Sequence, residues 1–169
     1  MRTLGITVST AYVLAFTNVT ASAGGNMYLI SMDDQMMQVL NRTTLSDQDG
    51  YRTGWVTTMY ARPIYSDKKV GSVEIARVLD EADCNNNRLR TIEHDIYSLD
   101  DALIGKDKVA THWLSARADT LGMGELDVLC ERLSPAKVEA RSIPDAPITV
   151  MLDTYRKWRL ARTKKAGHK

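Results

Sequence analysis

The feature that most constrains the fold of this chain is its cysteine content, because Cys84 and Cys130 are its only two cysteines. In an exported protein, two cysteines predict a disulfide. Such a bond would close a loop of about 46 residues and stabilise the folded state by roughly 4 kcal/mol on a chain-entropy estimate. Two alternatives stay open. One is a zinc site formed with His94 and His112, although no compact CxxC or HxxxH spacing supports it. The other is a catalytic thiol, although no neighbouring residue marks a base.

The N terminus predicts export. The first 23 residues carry one charge, Arg2, and no acidic residue, and residues 4–16 are apolar with small hydroxyl side chains. This apolar stretch of about 13 residues is shorter than the roughly 20 that span a bilayer as a helix. Ala21-Ser22-Ala23 has the small-x-small form that signal peptidase accepts, which predicts cleavage after Ala23 and a periplasmic or secreted product. The alternative is an N-terminal strand or helix of the core.

Charge is unevenly distributed along the mature chain. Residues 24–154 contain 14 basic residues (22 in the chain, less Arg2 and seven in the tail) and 21 acidic ones, a net charge of −7. Residues 155–169 contain seven basic residues and no acidic residue. A body and a tail of opposite sign attract each other, unless the tail contacts an external anion. Nucleic acid is not expected as a partner, because the chain is predicted to be exported and its body is acidic.

The basic tail has an amphipathic pattern from Ile148 to Lys165 that suits an anionic envelope component. Contact with an anionic membrane surface through this segment would be weak, since salt screens it. The candidate binding residues of the tail are Arg156, Lys157, Arg159 and Arg162. The alternative is a helix that docks on its own domain through Tyr155 and Trp158.

Strand-like segments dominate the centre of the chain. Met27–Met32 is a short apolar run, and 51–61 is rich in aromatic and β-branched residues, with Pro63 predicted to end it. Apolar and polar residues alternate imperfectly along residues 88–99, and charged residues fall on both faces. This pattern predicts a strand that is only half covered by the rest of the protein. Residues 105–108 are predicted to form a turn.

Helical periodicity appears later in the chain. Apolar residues recur every three or four positions from Leu121 to Leu133, and Pro135 follows as a stop. The sequence therefore predicts four segments: a signal peptide at 1–23, an α+β domain at 24–135, a linker at 136–147 and a basic amphipathic C-terminal helical extension at 148–169.

Motifs for catalysis and cofactor binding are not recognisable: the sequence has no GxSxG, HExxH, P-loop or Rossmann glycine pattern, and no cofactor is predicted. His94 lies between Glu93 and Asp95, but adjacent strand residues point to opposite faces and do not converge. Arg88 and Arg90 share one face of their strand. There they either pair with Glu93 or Asp95 or present charge to an acidic partner.

Several short motifs occur in an order that resembles the bacterial surface-adhesin protein E family over residues of about 27–132. The motifs are Val39-Leu40-Asn41 with Thr44-Leu45, Trp55, Asp83-Cys84, Arg88, Arg90 and Tyr97, Trp113, and Val128-Leu129-Cys130. The resemblance implies an α+β fold, a small antiparallel β-sheet with a C-terminal helix packed on one face. Cys130 on that helix would be tied to Cys84 at a strand edge.

The resemblance also implies a function, since members of this family are exported or surface proteins and some bind host proteins. The preferred hypothesis is an exported, non-catalytic binding module that recognises a protein or cell-envelope partner, with Arg88, Arg90 and the basic tail residues as candidate contacts. The alternative is a small periplasmic enzyme or inhibitor whose site is assembled only in three dimensions. A pocket joining His94 or His112 to carboxylates would favour that alternative.

Overall fold

The computed structural model describes the backbone of residues 25–67, 71–97, 102–108 and 110–166, and their side chains except at 64–67, 71–72 and 162–166. The predicted signal peptide lies outside the described residues, so cleavage after Ala23 stays a prediction. Among the described helices, none has the length and apolar character needed to cross a membrane.

Within the described residues, nine strands form one antiparallel sheet. The strands are β1 (Met27–Met32), β2 (Met36–Asn41), β3 (Ser46–Gln48), β4 (Tyr51–Asp67), β5 (Gly71–Asp83), β6 (Arg88–Tyr97), β7 (Leu103–Asp107), β8 (Leu114–Ser115) and β9 (Ser142–Ile143). The main path across the sheet runs β7–β6–β5–β4–β2–β1–β9, while β3 pairs with β4 and β8 pairs with β6. The long strands β4 and β5 form the centre.

A tight turn at Asp49-Gly50 joins β3 to β4. Both residues have positive φ, 52° and 83°, and the flanking residues Gln48 and Tyr51 pair with each other. Two consecutive residues with positive φ are typical of a type I′ turn, whose twist matches that of an antiparallel hairpin. The turn therefore fixes the register in which Tyr51 begins β4.

Two expectations about the strands were wrong. β4 does not end at Pro63 but continues to Asp67, because its pairing with β5 shifts register between Met59 and Ile64. A proline, which has no backbone donor, is tolerated in such an irregular stretch. Residues 105–108 were predicted to form a turn, but 103–107 form β7, which pairs with β6.

Two apolar clusters lie on opposite faces of the sheet. The side chains of the adjacent strand residues Val39 and Leu40 point to opposite faces, and both residues are fully buried. Leu40 belongs to the cluster beneath α1 (Leu121–Leu129), and Val39 belongs to the cluster beneath α3 (Ile148–Ala166). We call these two sides of the sheet the α1 face and the α3 face.

Helix α1 confirms the predicted fold class, an antiparallel sheet with a helix packed on one face. The predicted helix is present, but it ends at Leu129 and not at Leu133. The Thr120 hydroxyl caps its first turn by accepting a hydrogen bond from the Met123 amide at 3.3 Å. Leu126 and Leu129 are fully buried against the sheet.

The disulfide Cys84–Cys130 links the turn after β5 to the end of α1, with the two Cα atoms 5.7 Å apart. The predicted pairing is therefore present. Because the two sulfur atoms are bonded to each other, neither is a thiolate that could bind zinc or act as a nucleophile.

Helix α3 packs on the sheet of its own chain. Met151, Leu152 and Tyr155 are buried in the cluster of the α3 face, and Trp158 packs against that cluster. The Tyr155 hydroxyl donates a hydrogen bond to the Asp33 carbonyl at 2.9 Å. Burial raises the pKa of Tyr155 to about 12. The apolar side of the extension thus completes the core.

The segment 136–147, predicted to be a linker, holds regular structure. Helix α2 (Pro135–Arg141) begins at Ser134, whose side chain accepts from the Lys137 amide, and Pro135 occupies the first turn. Proline is well suited to that position because its missing N–H would have no partner there. The proline interpreted as a helix stop therefore starts the next helix. β9 then pairs with β1, Met27 with Ile143.

Candidate partner-binding surface

Helix α3 covers only part of its face of the sheet. Its cluster includes Met59 and Ile75, which pair with each other across β4 and β5. Further along the same strands, the same face carries polar and aromatic side chains. Directly paired residues of an antiparallel sheet point to one side, so the strand pairing shows which side chains lie on this face. We call this part of the α3 face, together with the Trp113 side chain that packs over it, the arginine–aromatic face. It comprises Tyr51, Trp55, Arg77, Arg88, Arg90 and Trp113.

A bulge in β6 brings both predicted arginines to this face. Leu79 pairs with Glu93, but the next residue of β5, Asp80, pairs with Thr91. One residue of β6 is thus skipped, and the alternation of its side chains is reversed beyond that point. Arg88 and Arg90 consequently share a face with Glu93, where strict alternation would have separated them.

Trp113 is the centre of the first aromatic group. The Arg90 guanidinium carbon lies 4.5 Å from the centre of the Trp113 ring, and that of Arg88 lies 5.2 Å away. The Tyr51 ring is 5.2 Å from the same ring and tilted by 40°. Cation–π contacts of this kind contribute about 0.5–1 kcal/mol each at exposed sites. They hold the two arginines in a defined orientation.

Buried carboxylates on β5 hold these arginines from beneath. Asp83 Oδ2 lies 2.5 Å from Arg88 Nη2, and Glu81 Oε2 lies 2.5 Å from Arg90 Nε. Hydrogen bonds from Arg88 and then from Asn86 lower the pKa of Asp83 to about 2. The Asp83 carboxylate is therefore ionised at neutral pH. Pairing with Glu93 or Asp95 was one of the two alternatives for these arginines, but their carboxylate partners are Asp83 and Glu81.

Arg77 is the centre of a second aromatic group. Its guanidinium carbon lies 5.1 Å from the ring centre of Trp55 and 5.8 Å from that of Tyr97. Arg77 Nη1 donates a hydrogen bond to the Tyr97 hydroxyl at 3.2 Å, and that hydroxyl donates to Asp95 at 3.4 Å. The rings and the cation thus form one connected group on the central strands.

Lysines from the β7 side of the sheet neutralise the remaining acids of this face. Lys106 contacts both Glu93 and Asp95, and Lys108 Nζ lies 3.1 Å from Glu93. The hydrogen bond from Lys106 lowers the pKa of Glu93, and the hydrogen bond to Glu93 raises the pKa of Lys106.

The outer surface of this face is positively charged although its charges nearly balance. The side chains of Glu81, Asp83, Glu93 and Asp95 are only 7–10% exposed. The side chains of the basic residues paired with them are 29–71% exposed. Negative charge is therefore held inside, and positive charge faces the solvent beside aromatic rings.

The basic tail residues have separate positions. Arg156 Nη2 lies 3.1 Å from the buried carboxylate of Glu74, and Arg159 Nη1 donates to the Ala61 carbonyl at 3.5 Å. Lys157 is 75% exposed and pairs with Asp153 on the same helix. The side chain of Arg162 lies outside the described residues. Arg156 and Arg159 thus help to hold α3 on the sheet.

A different polar site lies on the α1 face, in a cavity of about 350 Å³ lined in part by Asp80 and Glu125. Both carboxyl groups are buried and hydrogen-bonded to each other, and the Thr91 hydroxyl donates to Asp80 at 2.5 Å. Burial and repulsion by Asp80 raise the pKa of Glu125 well above its ordinary value, and burial also raises that of Asp80. The pair therefore retains a proton at pH values where exposed carboxyl groups would lose it.

This cavity bears on the enzyme alternative. His94 is near enough to favour the ionised form of Asp80, but neither His94 nor His112 is among the residues that line the cavity. An enzyme would be favoured by a pocket that joins His94 or His112 to carboxylates. This cavity is lined by carboxyl groups but by neither histidine.

Sequence reasoning named Arg88 and Arg90 as candidates but did not identify the side chains around them. Trp113 was noted as part of a motif, yet no local pattern indicates that residue 113 reaches a tyrosine at position 51. Arg77 was missed altogether. The available signal was its position within an apolar strand, where a charged residue requires a specific partner.

An antiparallel sheet with a helix on each face and a disulfide from strand edge to helix define an α+β protein. The chain belongs to the family described as surface-adhesin protein E, whose sequence model matches residues 27–131. No curated protein matches the sequence significantly.

Solved structures of Haemophilus influenzae protein E are similar to this chain at low identity. One is 14% identical and covers 65% of this chain and 86% of its own, with a TM-score of 0.46. A second, from a non-typeable strain, is 13% identical and covers 71% and 89%, with a TM-score of 0.44. A third structure, of crystal form II, is 15% identical and covers 56% of this chain and 80% of its own, with a TM-score of 0.42. Family membership makes the chain an adhesin-like protein, exported or surface-located.

Proposed function

We propose that this protein is an exported, non-catalytic binding module that recognises a protein or cell-envelope partner through the arginine–aromatic face. Cleavage after Ala23 would release the mature chain, with its domain of residues 24–135 and the segments that follow it, into the periplasm or beyond. The observation that carries the proposal is Trp113, half-buried and in contact with Tyr51, Arg88 and Arg90.

Tryptophan, tyrosine and arginine are the residues that most often dominate binding energy at protein interfaces. Here they are grouped on one sheet face, and their orientation is fixed by stacking and by buried carboxylates. A preorganised surface loses less side-chain entropy on binding than a flexible one. These features support a recognition surface over a merely solvated strand.

The test is a pull-down with the mature protein against envelope and extracellular proteins at low and at physiological salt. We expect Trp113→Ala to abolish retention of a partner that the unchanged protein retains. Leu114→Ala is the matched control, because Leu114 is the next residue and is 68% exposed. Near-ultraviolet circular dichroism of both variants reports whether the fold is intact. Equal retention by the Trp113→Ala variant would refute the proposed surface.

We also propose weak contact between the tail and an anionic membrane surface. Lys157, with its 75% exposed side chain, is available for it, whereas Arg156 and Arg159 are engaged with the sheet. The combined change of Lys157, Lys164 and Lys165 to Gln is expected to lower binding to phosphatidylglycerol vesicles at low salt, as measured by cosedimentation. Unchanged binding would exclude the tail as the contact.

A further inference from the structure

We propose that the arginine–aromatic face binds an acidic segment of a partner protein, with Arg90 and Arg88 contacting its carboxylates. This inference depends on the proposed function and names the chemistry of the partner. It is carried by the unused donors of the two guanidinium groups, by their fixed orientation and by the charge of the surrounding surface.

The donors of Arg90 are only partly used. Its Nε donates to Glu81, and within the described part of the chain its two terminal nitrogens have no hydrogen-bond partner. Arg88 uses Nη2 for Asp83. A guanidinium group whose two terminal nitrogens are available presents two parallel N–H donors, and this geometry matches a carboxylate. The end of Arg90 is therefore shaped to receive one.

The orientation of these donors is set before a partner arrives. Arg90 is held between Glu81 and the Trp113 ring, and Arg88 is held between Asp83 and the same ring. Long flexible side chains normally lose rotamer entropy when they form an ion pair, which is why exposed pairs contribute little. Here most of that loss has already occurred on folding.

Charge complementarity selects an acidic partner of limited length. The body of the chain, residues 24–154, has a net charge of −7, and this face turns its basic side chains outward. A long polyanion such as a sulfated polysaccharide would extend from the face onto the acidic remainder of the surface, where like charges repel it. A short acidic peptide segment fits within the face and contacts the Tyr51 and Trp55 rings with its apolar side chains.

The experiment is a titration of the exported protein with a ten-residue peptide of alternating Glu and Ala, followed by tryptophan fluorescence and by amide chemical shifts. A peptide of alternating Gln and Ala is the uncharged control. We expect saturable binding of the Glu peptide that weakens as salt increases, with shifts at Arg88, Arg90 and Trp113.

The decisive variant is Arg90→Lys, which keeps the positive charge beside Glu81 but removes the paired terminal donors. We expect it to weaken binding of the Glu peptide by about tenfold, the value of one charge-assisted hydrogen bond. Arg52→Lys is the matched control, because Arg52 is half-buried like Arg90 and forms ion pairs with Asp47 and Glu131. It is expected to bind like the unchanged protein.

Three outcomes would overturn this inference: equal binding of the Gln peptide, an unchanged affinity in the Arg90→Lys variant, or tighter binding of heparin than of the Glu peptide that also depends on Arg90. If the Glu peptide fails to bind while a pull-down partner still depends on Trp113, the acidic-segment inference is wrong and the proposed function stands. If the partner does not depend on Trp113, the proposed function fails too.

Discussion

At the scale of single residues, the most unusual feature is the pair of carboxyl groups of Asp80 and Glu125. One lies on the central strand β5 and the other on α1, and both are at most 9% exposed. Two buried carboxyl groups in contact cannot both ionise without a large cost, so they retain a proton where exposed acids would lose it. The pair therefore joins the helix to the sheet through a hydrogen bond that depends on protonation.

The pair makes stability depend on pH. Its pKa values are raised by folding, so its contribution is fully present below the unfolded-state pKa and is lost as pH rises through the folded-state pKa. We expect Glu125→Gln, which mimics the protonated acid, to raise the unfolding free energy above the ordinary glutamate pKa of 4.5 and to flatten its pH dependence. Urea unfolding at several pH values measures this.

The control for this prediction is Glu131→Gln, which changes a 58% exposed side chain at the end of the same helix. It should leave the slope of stability against pH unchanged. If Glu125→Gln proves destabilising at pH 8, the two carboxyl groups do not share a proton.

At the scale of elements, the sequence predicted the existence and type of most strands and helices better than their ends. An apolar run identified β1, aromatic and β-branched residues identified the start of β4, an imperfect alternation identified β6, and a period of three to four identified α1. The bulge in β6 was not predictable, since Arg88–Tyr97 reads as one imperfect alternation and only pairing with β5 shows where a residue is skipped. The same limitation concealed the arginine–aromatic face, whose members come from four separate parts of the chain.

Helix α2 was missed for a different reason. Pro135 fits both the end of one helix and the first turn of the next, and sequence spacing alone does not decide between them. Ser134 was the available signal, because a serine directly before Pro135 is suited to cap a new helix.

The contact between α1 and β4 depends on a glycine. A β-carbon at Gly54 would lie 2.8 Å from Leu129 Cδ2 and 3.0 Å from Leu45 Cδ2. We expect Gly54→Val to lower the unfolding free energy by about 1–3 kcal/mol, the usual cost of overpacking a core. Urea unfolding measures the change. Gly105→Val is the control, because the nearest atom to a β-carbon at Gly105 is 3.8 Å away. A similar loss in both variants would show that α1 does not press on Gly54.

At the scale of the whole molecule, one covalent bond and two helices hold the sheet from both sides. The Cys84–Cys130 disulfide fixes α1 to the α1 face, whereas α3 is held by Met151, Leu152, Tyr155 and the Arg156–Glu74 ion pair. The cysteine pairing was predictable because the chain has only two cysteines and a predicted export signal. The placement of the two helices on opposite faces was not predictable, because it depends on which side chains of each strand point to each face of the folded sheet.

The disulfide should dominate the stability of the domain. We expect the double variant Cys84→Ser, Cys130→Ser to lose roughly 4 kcal/mol of unfolding free energy, the chain-entropy value for closing a loop of this length. Urea unfolding of both proteins measures the difference. The unchanged protein should take up no thiol reagent before reduction. Two reactive thiols in protein from an oxidising compartment would contradict the pairing.

The position of that bond also has a mechanical consequence. If the two ends of the domain are pulled apart, tension passes from Asp83 through the sulfur–sulfur bond to Glu131 and bypasses residues 85–129. Arg88, Arg90 and Trp113 all lie inside this bypassed loop. A load strong enough to peel away β1 and α3 would therefore leave the segment that carries these three side chains unstretched.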